Sequence, residues 1–225
     1  MQKRFLLLLV GIVSFYFSQA QLTHTDSVRI FQKDSTLRAM IKADSAKVEK
    51  EFAEREKWEK MEATAVYPWY KAGNFSGVIP VANPEEVPDP NIDYKLLFEL
   101  VAPNPDSTSG DIYASLAEVV RKINLHVASG ISLKRIYPVI VIHAGALHAF
   151  KNNEAYQKKY KKDNPNIAVI AELKKLETKF IVCGQAMAFF DVKKEELLPD
   201  MKVAITAQTV LSHYQLKGYV LFLVN

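Results

Sequence analysis

The chain has 225 residues, 49% hydrophobic and 24% charged, enough to bury one core of ordinary domain size. Its formal net charge is only +4, with basic and acidic residues interleaved, which leaves no electrostatic footprint for nucleic acid. The eight glycines form no Gly-x-Gly-x-x-Gly, no phosphate loop ending in Gly-Lys-Ser/Thr and no Gly-x-Ser-x-Gly. A nucleotide site and a serine-hydrolase elbow are therefore disfavoured.

Residues 1–20 read as an export signal. Lys3 and Arg4 give the positive start, and Phe5 to Phe17 form an apolar run short of the ~20 residues a spanning helix needs. Ser18-Gln19-Ala20 places small residues at the positions read before cleavage, so the mature chain is expected to begin at Gln21. No cysteine follows the run, which excludes lipidation there, and no later run is apolar enough to span. The expectation is a periplasmic or secreted protein with no membrane span after cleavage; an uncleaved anchor is the alternative.

Residues 21–66 form a charged helical segment. From Gln21 to Glu62 nine basic residues balance nine acidic ones, with no glycine or proline from Thr25 to Glu62. Val28, Phe31, Leu37, Ile41, Val48, Phe52 and Trp58 recur at three, four, six and seven, which predicts a helix with a narrow, broken apolar stripe. Asp44–Lys47, Glu51–Arg55 and Glu56–Lys60 are expected ion pairs between turns. The segment reads either as a docking or coiled-coil helix or as a solvated linker, and its irregular heptad favours the linker.

Residues 67–93 carry five prolines together with Tyr67, Trp69, Tyr70 and Phe75. The prolines exclude helix and central strand, while the aromatics argue against disorder. An extended arm packed over the following domain, or over a neighbouring subunit, is expected.

From Tyr94 to Asn225 strands and helices alternate. Strands are predicted over 95–101, 137–142, 178–183, 202–206 and 218–224, and helices over 111–129, 151–163, 166–176, 185–190 and 207–216. Ser109 and Thr206 are candidate N-caps, and Gly130 ends the first of these helices. The pattern is an α/β domain of the doubly wound kind, with a mainly parallel five-stranded sheet.

Cys183 is the only cysteine, so it has no intramolecular disulfide partner. It closes an apolar strand just before Gly184, where chemistry collects in open α/β sheets. A helix start there would favour a thiolate, but free cysteine is also among the most buried residue types, and spacing alone favours a structural role. His143 ends the second strand as Cys183 ends the third. On neighbouring strands the two would share one edge, and an imidazole there could take the thiol proton. A histidine simply hydrogen-bonded at a strand end is an equal alternative. His148 is a candidate rim residue, and Gln185 either contacts a ligand or is an exposed helix residue. His213 and Tyr214 read as helix surface or packing. A Cys183–His143–His148 metal site lacks ligand spacing, and a Cys–His hydrolase lacks an identified orienting residue.

Several stretches in order resemble the DsrE/DsrF-like sulfur-relay family. They are Tyr94-Lys-Leu-Leu-Phe-Glu-Leu-Val, Val-Ile-Val-Ile-His143-Ala-Gly-Ala, Asn164-Pro-Asn-Ile, Ile181-Val-Cys183-Gly-Gln185, Glu196-Leu-Leu-Pro199 and Gln215-Leu-Lys-Gly218-Tyr. The aromatic, proline-rich arm resembles an exported subgroup. The resemblance implies a three-layer α/β/α fold, a homo-oligomer (dimer, trimer or hexamer), and a cysteine persulfide carried on Cys183, with neither metal nor nucleotide cofactor. A thiol or polysulfide donor and an acceptor thiol would be the partners. His143 and the N–H groups around Gly184 would tune the thiolate, and Gln185 would hold the outer sulfur. The alternative is a non-catalytic oligomeric ligand-binding or assembly module with a structural cysteine.

Overall fold

The computed structural model describes the backbone of residues 24–224 and the side chains of residues 31–224. The expected export signal, residues 1–20, lies outside the described residues. The chain divides into two compact units, Met1–Glu59 and Lys60–Asn225. Among the described residues no helix is long and apolar enough to cross a membrane.

Helix α1 spans His24–Thr64. Every side chain from Phe31 to Lys60 is exposed, including Phe31 at 74% and Phe52 at 63%. Its ion pairs are Asp34–Arg38, Lys47–Glu51, Lys50–Glu54 and Arg55–Glu59. Of the three pairs expected from the sequence, Lys47 meets Glu51 in place of Asp44 and Arg55 meets Glu59 in place of Glu51, each having an acid on both neighbouring turns. Glu56–Lys60 is not among the ion pairs of the described residues.

The arm after α1 is extended and closes on itself through a two-way backbone bridge between Val66 and Val78. It is anchored by the buried side chain of Asn124. The amide oxygen accepts the N–H groups of Trp69 and Tyr70, and the amide nitrogen donates to the carbonyls of Tyr70 and Ser76. A fully satisfied buried amide avoids the cost of orphaned polar groups and fixes the path of the arm over the α/β domain. Beyond it, residues 80–92 are exposed.

Five strands, β1 (Tyr94–Leu100), β2 (Ile136–Ile142), β3 (Lys179–Cys183), β4 (Lys202–Ala204) and β5 (Val220–Val224), form one all-parallel sheet in the order β4-β3-β2-β1-β5. The α/β fold with a five-stranded parallel sheet is thus as expected from the alternation of strand and helix. The helices are α2 (Ala114–Ala128), α3 (Asn153–Tyr160), α4 (Ile167–Lys175), α5 (Gly184–Phe189) and α6 (Ala207–Leu216).

Strand order determines which face each helix covers. The steps β1 to β2, β2 to β3 and β3 to β4 all run in one direction, so right-handed crossovers put their connections on one face. The return from β4 to β5 passes to the far side of β1 and puts α6 on the other. The first face carries Leu96, Phe98, Leu100, Ile140, Ile142, Phe180 and Val182 under α2 and α4. The second carries Leu97, Val139, Val141, Ile181 and Cys183, covered by Ala207 and Leu211 of α6.

Two capping expectations divide. The Thr206 hydroxyl accepts the Gln208 N–H at the start of α6. Ser109 does not cap α2. That helix begins after Tyr113, whose N–H donates to the Asn166 amide oxygen at 2.7 Å, while the Ser109 hydroxyl donates to the Asp106 carbonyl. A contact across 53 residues therefore sets the helix start.

Candidate active site

All strands being parallel, their carboxyl ends share one edge, and a cavity of about 420 Å³ opens there. Its walls come from the segments that follow β2, β3 and β4: His143 and Ala144, then Cys183, Gln185, Phe189 and Phe190, then Thr206 and Gln208. This is the edge at which parallel α/β sheets place ligands.

The pairing Ile142 with Val182 puts His143 and Cys183 on neighbouring strands one step further along. Side chains alternate along a strand, and Val141 and Cys183 both face α6, so His143 projects to the same side. Cys183 is a free thiol, 5% exposed, and forms part of the cavity wall. Its small exposure fits a thiol reached through the cavity rather than from open solvent.

The structure adds a residue that the sequence reading passed over. Glu99 of β1 pairs with Val141 in register, so it faces α6 diagonally across from His143. Its Oε1 lies 2.9 Å from His143 Nε2, with side chains 18% and 23% exposed. A carboxylate accepts only, so Nε2 carries the hydrogen in this bond and Nδ1 keeps the lone pair. A thiol, an imidazole and a carboxylate thus lie in order along one edge of the sheet, on β3, after β2 and on β1. The one available signal was a glutamate interrupting the apolar run Leu-Leu-Phe-Glu99-Leu.

Backbone geometry fixes this corner. His143 is fully extended, its N–H donates to the Leu100 carbonyl, and Ala144 then turns at φ 50°. A non-glycine residue in the left-handed region costs about 1–2 kcal/mol, which the surrounding packing must offset. A Cβ on Gly145 would come within 2.7 Å of Pro103, so the loops after β1 and β2 meet at van der Waals contact. A Cβ on Gly184 would fall 2.8 Å from the Ala204 carbonyl oxygen, which makes glycine necessary where α5 leaves β3.

Two expected contributors occupy other roles. The Gln185 N–H, one of the amides expected to tune the thiolate, donates to the Ile205 carbonyl at 3.2 Å and is already committed. Gly184 sets the backbone approach and does not line the cavity. The Gln185 side chain does line it. His148 stands behind the wall, its ring edge-on to Phe190 at 6.1 Å, and its buried Nδ1 has no hydrogen-bond partner. Burial and the positive charges of Lys159 and Lys151 hold its pKa below the usual histidine value. Cys183 and His143 share the cavity but His148 does not, so these three do not converge. Among the described residues no group of three or more His, Cys, Asp or Glu side chains is placed to hold a metal ion. His213 is exposed on α6, and Tyr214 packs edge-on against Tyr219 at 5.0 Å.

No curated protein matches the chain. Among solved structures it is similar to a protein of unknown function, MTH1491 from Methanobacterium thermoautotrophicum, at 14% identity and a TM-score of 0.43, over 58% of this chain and 99% of that one. Residues 95–223, more than half of the chain and the whole span from β1 into β5, match the family model, and the chain belongs to the DsrE/DsrF-like family.

Proposed function

We propose that the protein is an exported sulfur carrier that holds sulfane sulfur as a persulfide on Cys183. Family membership suggests a sulfur-relay role. The observation that carries the finer reading is one cavity walled by both Cys183 and His143, with Glu99 bonded to the far nitrogen of the imidazole. Export rests on the positive start, short apolar run and small-residue cleavage pattern of residues 1–20.

In the proposed reaction His143 takes the Cys183 proton. The thiolate attacks the outer sulfur of a donor R–S–S–H, the donor S–S bond breaks, and RS⁻ leaves with the proton from His143. Cys183 then carries S–S–H, and attack of an acceptor thiolate on the outer sulfur returns the Cys183 thiolate. Each transfer is redox-neutral thiol exchange. Glu99 orients the imidazole and stabilises its charged form, and the Gln185 side chain is placed to hold the outer sulfur.

A hydrolase using the same three residues is less well supported. The Gln185 amide, which would be needed to stabilise an oxyanion, is bonded to Ile205. The test is intact-mass measurement after incubation with an organic persulfide or polysulfide. One added sulfur is expected in the native chain and none in Cys183→Ser. Absence of the adduct, or a thiol alkylated only after denaturation, would overturn the proposal.

A further inference from the structure

We infer that the thiol served by the cavity is one carried on a peptide unit, with the Gln208 carboxamide bonded to its amide and Phe189 against its carbon stem. The inference rests on the persulfide reading above and names the substrate class of that same site. A transferred sulfur needs little more room than a water molecule, about 30 Å³. The cavity offers about 420 Å³, within the range of about 300–1,000 Å³ in which small organic molecules bind. Most of that space lies beyond the transferred atom and belongs to whatever carries it.

Besides Cys183 and His143, the polar side chains on the wall are Gln185, Thr206 and Gln208. The Gln208 N–H donates to the Thr206 hydroxyl oxygen at 3.4 Å, and its carbonyl accepts the Ser212 hydroxyl at 2.9 Å. Its backbone is thus occupied. Its carboxamide, like that of Gln185, makes no hydrogen bond within the chain among the described residues. A carboxamide carries N–H donors and a carbonyl acceptor side by side. Its full complement is another amide, which returns one acceptor and one donor in a single plane. An alkyl thiol returns neither.

Gln208 is held at a fixed offset from the thiol. Cys183 pairs with Ala204 in register, and the Gln185 N–H donates to the Ile205 carbonyl at 3.2 Å. The bond that withdraws this N–H from catalysis therefore ties the start of α6 to the start of α5. Gln208, in the first turn of α6, shares the cavity wall with Cys183 for that reason. Helix α5 contributes Phe189, its last residue, which is 82% exposed and stands edge-on to Phe190 at 4.9 Å. A ring this open gains most from apolar cover, and the methylene carbon between sulfur and peptide unit supplies it. Sulfur, short carbon stem and amide are the parts of a cysteinyl residue, and thiol, aromatic ring and carboxamide are what the walls set against them.

The test gives the full chain three donors at equal concentration and times sulfur addition by intact mass. They are the persulfide of N-acetylcysteine methylamide, a straight-chain alkyl persulfide of similar length, and inorganic polysulfide. The amide-bearing donor should react about fivefold faster than the alkyl one. Gln208→Leu should bring it down to the alkyl rate, and Phe189→Ala should slow both organic donors more than polysulfide. Equal rates for the two organic donors, or an advantage that survives Gln208→Leu, would overturn the inference and leave the persulfide on Cys183 standing. If no donor adds sulfur, the persulfide reading fails, and binding alone decides the substrate class. Cys183→Ser titrated with N-acetyl-S-methylcysteine methylamide should then shift the His143 ring resonances, and Gln208→Leu should remove the shift; no shift overturns the inference. A persulfide at the centre of a peptide of about ten residues distinguishes the sources of such a thiol. A rate equal to that of the capped residue assigns it to an exposed protein segment, and a slower one to a small free peptide.

Discussion

The two faces of the sheet differ in what covers them and in what they carry. The face under α2 and α4 is an uninterrupted apolar layer, with Phe98, Leu100, Ile140 and Ile142 fully excluded from solvent. The face under α6 is thinner and includes Glu99, His143 and Cys183. A single helix leaves the carboxyl edge of that face open, and this is the place where a thiol and an imidazole can meet a ligand. The strand order that sends three crossovers to one side and one to the other thus separates the part of the domain that secures the fold from the part suited to chemistry.

The largest expected effect tests that separation on the crowded side. Phe98 is 0% exposed and stacks on Phe222 at 5.5 Å, so Phe98→Ala should cost about 3–5 kcal/mol of unfolding free energy in a urea titration. Leu211→Ala, beneath α6 at 8% exposure, should cost only about 2 kcal/mol, the low end for such a truncation. Equal losses would mean that the two faces secure the fold alike.

Glu99→Gln sharpens the comparison from the other side. The amide keeps the shape and can still accept from His143 Nε2, but it no longer stabilises an imidazolium. The reaction rate of Cys183 should fall about tenfold, some 1.4 kcal/mol in the barrier, while stability changes by less than about 1 kcal/mol. The pH profile of thiol alkylation should move with it, which a purely structural role for Glu99 would not produce. An unchanged rate and profile would leave His143 without an orienting partner.

Much of this architecture was legible from residue pattern. All five strands appear within one to two residues at most of their ends, because β-branched and aromatic runs between turn residues mark buried parallel strands. Placing Cys183 and His143 at strand ends followed from that, and sharing an edge needed only that β2 and β3 be neighbours. What was not legible depends on distant partners. The start of α2 moved from Asp111 to Ala114 because Asn166 takes the Tyr113 N–H. Glu99 was passed over inside an apolar strand run, because only the pairing of β1 with β2 assigns its face and its neighbour. The Gln185 amide looked available until the segment after β4 was placed beside it. In each case the local pattern fixes the element, and a contact far away in sequence decides which polar group is used and by what.

The smallest expected effect separates the two histidines of one loop. His143 has its carboxylate, while His148 is half-buried behind Phe190 with an unpartnered Nδ1. Burial first, then Lys159 and Lys151, hold the His148 pKa below 6.5, against the weaker opposing pull of Asp106 and Glu196. Folding therefore favours the neutral ring. Between the usual histidine value and the lowered one, the unfolded chain binds a proton that the folded chain does not, so stability falls as the pH drops through that window and is fully present above it. His148→Phe keeps an aromatic contact with Phe190 and removes the titration. The native chain should lose stability relative to the variant below about pH 6.5, by no more than about 1 kcal/mol given partial exposure. Chemical denaturation at pH 7.5 and pH 5 measures this difference. A gap that stays constant between the two pH values would show that the His148 proton is not coupled to folding.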